Sequence, residues 1–318
     1  MCIYVIRRLF TRALIFIGAM FVVFVVMWLV PRPIITFILP PDATPEAIHE
    51  WRYMHGPDPP ILSEFARYMT NAFRGDFGIT YRGMTYLRPV PVVEEVISRF
   101  YYTFWLSTLV LSASFALAVP IGALAVVKKD TWIDKLIRII TSLGRSVPVF
   151  GLGLFLVLFF VLHAGWLPSS GHRTLMQVIG LPSITLGIVT FAIMTEAIRV
   201  SLLESRNRRY LQAAYSYDIF KGAATYKHTL QNAFIPALSA LRAHLGTFFS
   251  GIIIIESVFA VPGIGRLLIQ GVIALDYYVI LGCMFMFILS YATLNLLIDI
   301  VQAIIEPRVR GHGARIDY

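Results

Sequence analysis

Few residues in this chain carry an ionisable group inside an otherwise apolar run, and those picked out are His163, Glu196, Glu256 and Asp299. Such a group is costly to hold away from water, so it marks function or pairs with an opposite charge. His163 and Asp299 fall near the ends of their runs, within reach of interfacial water. Glu196 lies beside a basic cluster that begins at Arg199 and is placed to pair with it. For Glu256 a capping or interhelical hydrogen-bonding role stands ahead of contact with a substrate. A proton relay needs several such groups at mid-depth, and this spacing does not provide them. Catalytic patterns are missing too: the sequence has no HExxH, CxxC or G-x-S-x-G, and no G-x-x-x-x-G-K-[ST] phosphate loop. The chain therefore hydrolyses no nucleotide unaided. The two cysteines, Cys2 at the start and Cys283 in an apolar run, suggest neither a disulfide nor a metal site.

The elements that must position these groups are membrane helices. Of 318 residues, 58% are hydrophobic and 14% charged, and the mean hydropathy is +0.74. A soluble domain keeps about a quarter of its residues charged. The net charge of +9 fits the basic bias of cytoplasmic loops, and no Lys/Arg-rich module points to nucleic acid. Crossing the hydrocarbon core takes about 20 apolar residues. Six runs qualify: 9–30, 102–127, 137–162, 181–200, 240–261 and 279–305. The first lacks a small-residue cleavage site and reads as a retained anchor. Gly187, Gly246 and Gly251 are expected to let neighbouring helices approach, and Pro120 and Pro148 to kink helices or end them.

Loop charge sets the orientation. With the N-terminus inside, the cytoplasmic pieces collect Arg7, Arg8 and Arg12, then Lys128, Lys129, Lys135 and Arg138, then the basic residues from Arg199 to Lys227, and finally Arg308, Arg310 and Arg315. The short external loops hold only Arg173 and Arg266. The fold class expected is thus an all-α integral membrane protein of six spans, N-in and C-in. Its parts are an N-terminal tail and first span (1–30), an external segment (31–99) and a core (100–318). Within the external segment, 43–55 and 61–73 read as short helices and Arg74–Gly78, RGDFG, as a tight turn. The segment serves as a cap on the bundle, as a docking surface for an external partner, or as both.

Between the fourth and fifth runs lies a cytoplasmic loop, 204–236, that no bilayer would accept. Asp218, Lys221, Lys227, His228, Gln231 and Asn232 break it up, yet Leu211, Ala214, Tyr215, Tyr217, Phe220, Ala224 and Leu230 recur at helical spacing. Small Ala213 and Ala214 let a helix lie flat in a groove, with Tyr210, Tyr217 and Phe220 as anchors. The alternative is a surface helix resting on lipid headgroups.

Here the sequence resembles the integral-membrane subunits of ATP-binding cassette importers, specifically the dipeptide/oligopeptide/nickel permease group. Gln212-Ala213-Ala214 stands at the family's EAA position, Asp218 at its glycine, and TYKHTLQNAFIPALS follows with Asn232 and Pro236. Further similar motifs are Arg74-Gly75-Asp76-Phe77-Gly78, then Pro91 to Arg99 with Thr103 beyond, then Ser146-Val147-Pro148-Val149-Phe150 with the later GWLPSSG. Beyond them come Glu256-Ser257-Val258-Phe259-Ala260-Val261-Pro262-Gly263-Ile264-Gly265-Arg266 and the tail from Asn295 to Arg310. Two departures stand out: Asp218 replaces a glycine that turns freely, so either Asp218 takes the left-handed conformation itself at a cost or Gly222 shares the turn, and LVPRPI (29–34) replaces LxPGDP.

The resemblance implies a permease subunit, not an enzyme, in a prokaryotic cytoplasmic membrane. It implies that Tyr210, Gln212, Ala213, Ala214, Tyr217, Asp218, Phe220 and Gly222 couple the chain to an ATPase. Implied partners are a second homologous permease, two cytoplasmic ATPase subunits holding ATP and magnesium, and an extracytoplasmic binding protein. No cofactor is expected in this chain, and the residues that touch cargo are not identified. Peptides are the leading cargo, with oligosaccharides or nickel as alternatives. From a different class, the rival is a secondary transporter or channel without an ATPase.

Overall fold

A computed structural model describes residues 2–29, 44, 46, 60–80, 90–163, 174–206 and 223–305. Helix α1 spans Cys2–Leu29 and α2 Ile61–Phe73; the strands β1 (Ile79–Thr80) and β2 (Val90–Pro91) follow. Then come α3 (Val92–Val127), α4 (Trp132–Ser146), α5 (Val149–Val157) and a π-helical turn, Leu158–His163. The rest is α6 (Leu175–Arg206), α7 (Ala223–Val258), α8 (Ile264–Ala274) and α9 (Tyr277–Ile305). Among the described residues, five helices are long and apolar enough to cross a membrane, and a sixth crossing results if α4 and α5 form one broken span.

That break corrects the third run. One helix over 137–162 was expected, but the chain bends by 92° between α4 and α5. Pro148 is the cause. It bars Val147 from the helical region, so Val147 is extended (φ −84°, ψ 125°) and a new helix starts after the proline. Pro120, Pro182 and Pro236, by contrast, lie within continuous helices, as membrane helices tolerate when neighbouring groups take up the freed carbonyl. The helices also outrun the hydropathy limits. α3 begins at Val92 and α7 at Ala223, because an amphipathic or charged first turn extends a helix without raising its apolar score.

The chain divides into two compact units, 1–8 with 102–261 and 293–318, and 9–101 with 262–292. In the first, Ala118, Val119, Ala123 and Val126 of α3 pack with Met194, Ile198 and Leu202 of α6 and with Ala233 and Ala237 of α7. Small side chains let the backbones close in: a Cβ on Gly122 would come within 2.8 Å of Ile198, and one on Gly251 within 2.9 Å of Leu186. Of the three glycines expected to admit a neighbour, Gly251 therefore does so, while a Cβ on Gly187 or Gly246 would meet open space.

The second unit is aromatic. Phe65, Tyr68, Met69 and Ala72 form the buried face of α2. Phe24 lies 5.5 Å from Phe65 and 6.1 Å from Tyr277 between ring centroids, both nearly edge-on. Phe16, Phe73 and Phe285 make a second group at 5.1–6.0 Å. The 61–73 helix and the RGDFG turn fall where the sequence places them. Gly75, at φ 85°, takes the left-handed position after α2, while the Gly75 and Asp76 amides bond back to Ala72 and Asn71. β1 then pairs antiparallel with β2 (Ile79 with Pro91, Thr80 with Val90). That short ribbon gave no alternating pattern to read.

Candidate functional site

The coupling residues Tyr210, Gln212, Ala213, Ala214, Tyr217, Asp218, Phe220 and Gly222 lie outside the described residues. Asn232 falls in the first part of α7, described by its backbone alone, and Pro236 within the same helix. The end of the 204–236 loop is therefore helical and continuous with the fifth span.

Glu256, Pro262, Gly263 and Gly265 mark the end of α7 and the start of α8. Ala260 adopts the left-handed conformation (φ 54°), and the Val261 amide donates to the Glu256 carbonyl at 2.9 Å. The Ala260 amide turns back to Ser257, which completes a Schellman end with alanine where glycine is usual. Pro262 cannot continue the helix, and Gly263 starts the next one, its carbonyl accepting from Leu267 at 3.1 Å. The Glu256 side chain is completely buried, and Thr103 Oγ1 donates to its Oε1 at 2.6 Å. Glu256 thus acts twice, its carbonyl closing the turn and its carboxyl linking α7 to α3. The hydrogen-bonding role set first for this residue is the one observed. Gly153 of α5 sits against the same end, where a Cβ would come 3.1 Å from the Phe259 ring.

Two ion-paired clusters accompany it. Arg199 on α6 forks onto Asp134 in the first turn of α4, with Nε to Oδ1 at 2.8 Å and Nη2 to Oδ2 at 2.9 Å. Asp134 is fully buried and Arg199 is 9% exposed. The amide of Asp130, itself left-handed at φ 64°, also donates to Asp134. Below this pair the α4–α6 seam continues through Thr141, whose hydroxyl lies 3.4 Å from Glu196, to Gly144, which nearly touches Ala192. Glu196, expected to pair with the basic cluster that starts at Arg199, attracts that guanidinium at longer range, while the bidentate partner is Asp134; the side chains of Arg206, Arg208 and Arg209 lie outside the described residues. In the second cluster Asp299 on α9 is 1% exposed; it accepts from Arg242 and lies 3.7 Å from Arg8. Asp299 therefore does not reach interfacial water, whereas His163 is exposed.

Asp134 and Arg242 were passed over by sequence reasoning. Asp134 falls just before the third run. Arg242 sits inside the fifth, with the buried His244 two residues on. The usable signal was a cation in one apolar run and an anion in another, which demand each other.

The family described as "Binding-protein-dependent transport system inner membrane component" matches residues 118–311. The glutathione transport system permease protein GsiC of Escherichia coli (strain K12) is 33% identical over 307 residues, 96% of this chain and 98% of that protein. The protein of the same name from Shigella flexneri serotype 5b (strain 8401) matches with the same identity and coverage.

Proposed function

This chain belongs to the family of binding-protein-dependent transport system inner membrane components, and from that premise we propose that it forms half of the path by which an ATP-driven importer moves small peptides across the cytoplasmic membrane. It is a transport subunit of the ATP-binding cassette class and not an enzyme. A second, homologous permease supplies the other half. Two ATPase chains bind ATP and magnesium on the inner side, and an external binding protein delivers cargo. The proposed orientation is N-in and C-in, with six spans and the 31–99 segment outside. The coupling surface is 210–222, with Tyr210, Tyr217 and Phe220 as anchors and Asp218 and Gly222 sharing the turn. Peptide cargo is favoured because full-length relatives are named for glutathione, itself a small peptide.

The observation that carries this reading is similarity along nearly the whole chain. Alternating access requires that partners bind the inward and outward states unequally. Purification of the tagged chain from its native membrane is expected to bring down a second permease and two nucleotide-binding chains, and the reconstituted assembly to take up labelled dipeptide or glutathione only with ATP. Uptake that persists without ATP, with no nucleotide-binding chain recovered, overturns it in favour of a secondary transporter. ATP-dependent uptake of an oligosaccharide or nickel alone moves the cargo and keeps the class.

A further inference from the structure

The second unit encloses a cavity of about 270 Å³ that the transport reading does not use. Four aromatic rings form part of its wall. Phe24 of α1, Tyr68 of α2, and Tyr277 and Tyr278 at the start of α9 all line it. The two α9 rings stand nearly edge-on, with centroids 5.4 Å apart, and Phe24 faces Tyr277 at 75°. Tyr278 lies against Gly78 so closely that a Cβ there would come within 2.5 Å of the ring. Gly78 is also left-handed at φ 90°, so the RGDFG turn is shaped to admit this ring.

Two carboxylates join the rings. Glu64 comes from the face of α2 that also presents Tyr68, and Asp76 from the turn. Arg67, at the same wall, pairs with Glu64 at 2.5 Å. One cation against two anions leaves the lining with a net charge of −1. Asp76 uses Oδ1 to accept the Gly78 amide at 2.9 Å, and among the described residues its other oxygen has no hydrogen-bond partner. The Tyr68 hydroxyl is an independent sign that the cavity suits a polar guest. Tyr68 is 8% exposed, and its oxygen is buried without a hydrogen-bond partner among the described residues. Native proteins rarely leave such a group unmet. Burial, reinforced by Tyr277, Cys283, Tyr278 and Asp76, pushes the loss of its proton upward, so it stays a neutral phenol able to accept a hydrogen bond.

We propose that this cavity is a binding site for a primary ammonium group on a short alkyl or peptide stem. Aromatic faces attract a cation, the net negative wall repels an anion, and a primary ammonium joins that positive charge to the several donor hydrogens needed to meet Tyr68 and Asp76 together. A quaternary ammonium has no such donor, and an apolar guest leaves the phenol unmet. The site stands whether or not the cargo of the transporter is a peptide.

The test uses the full chain in phosphatidylcholine nanodiscs, whose lipid carries no primary amine. Saturation-transfer NMR with n-propylammonium is expected to give a saturable signal that 1-propanol and tetramethylammonium do not reproduce. Tyr68→Phe is expected to weaken it about three- to tenfold, and Asp76→Asn, which can keep the Gly78 contact, about tenfold or more. Displacement by dialanine but not N-acetyl-dialanine assigns the group to a peptide terminus; displacement by phosphatidylethanolamine doped into the disc assigns it to a lipid headgroup. No saturable propylammonium signal, or an equal one from 1-propanol, overturns the site. So does unchanged affinity in both variants at unchanged melting temperature.

Discussion

Asp134 and Arg199 meet where neither charge would be tolerated alone. Removing two ions from water costs several kcal/mol each, and the bidentate fork returns most of it. The pair therefore specifies which turn of α4 meets which turn of α6, more than it adds stability. Asp134→Ala leaves Arg199 buried without its carboxylate and is expected to destabilise the purified chain by about 3–5 kcal/mol. The double variant Asp134→Met/Arg199→Met is expected to recover most of that loss in thermal unfolding, and a double variant no more stable than Asp134→Ala would show the pair to be net stabilising. Glu256 calls for a different contrast. Glu256→Gln retains an oxygen to accept from Thr103 and is expected to cost under about 1 kcal/mol, while Glu256→Leu removes the acceptor and costs about 1–3 kcal/mol. If the residue is structural, uptake by the Gln variant keeps its KM; a KM that rises while the melting temperature holds would place Glu256 on the cargo path instead.

At the scale of elements, the ends of helices hold the strain. α2 ends on Gly75, for which the left-handed turn is free, but α7 ends on Ala260 and α8 on Leu275, both at φ 54°. A residue with a Cβ pays roughly 1 kcal/mol for that conformation. Ala260 is exposed, so Ala260→Gly loses little contact and is expected to raise stability by about 0.5–1 kcal/mol, read as a higher melting temperature. The α4–α6 seam responds the other way. Gly144→Val drives a side chain into Ala192, whose Cβ would be 2.8 Å away even from an added methyl, and overpacking of this kind costs about 1–3 kcal/mol. Thermal unfolding of the purified Gly144→Val variant is expected to show that cost as a lower melting temperature. These seams were not legible in the sequence. Hydropathy marks which segments are apolar but not which small residue faces which neighbour, and so Gly144 went unnoticed while a Cβ at Gly187 or Gly246 would meet open space.

For the molecule as a whole, legibility tracks how local the cause is. The 61–73 helix and the turn at Gly75 follow from periodicity and glycine within a few residues, whereas proline alone does not decide: Pro148 separates two helices while Pro120, Pro182 and Pro236 sit inside theirs. Pairings such as Arg242 with Asp299 depend on helices far apart in the chain, and only the demand of a buried charge for its opposite hints at them. The stretch proposed as the coupling surface, 210–222, is set apart in the sequence by its polar, aromatic and small residues, and its proposed role is a matter for the assembled transporter. If those residues pass motion from an ATPase into the bundle, a charge there should break the link without harming the chain that bears it. Ala214→Asp puts a carboxylate on a face meant to lie flat in a protein groove, where desolvating it costs far more than at a wet surface. The purified variant is expected to melt within about 1 °C of the parent, since a surface substitution away from packed features changes stability by under about 0.5 kcal/mol. In the reconstituted assembly, uptake should fall at least about tenfold and binding-protein stimulation of ATP hydrolysis should disappear. Full uptake in that variant would mean that the stretch rests on lipid and that the motor grips the chain elsewhere.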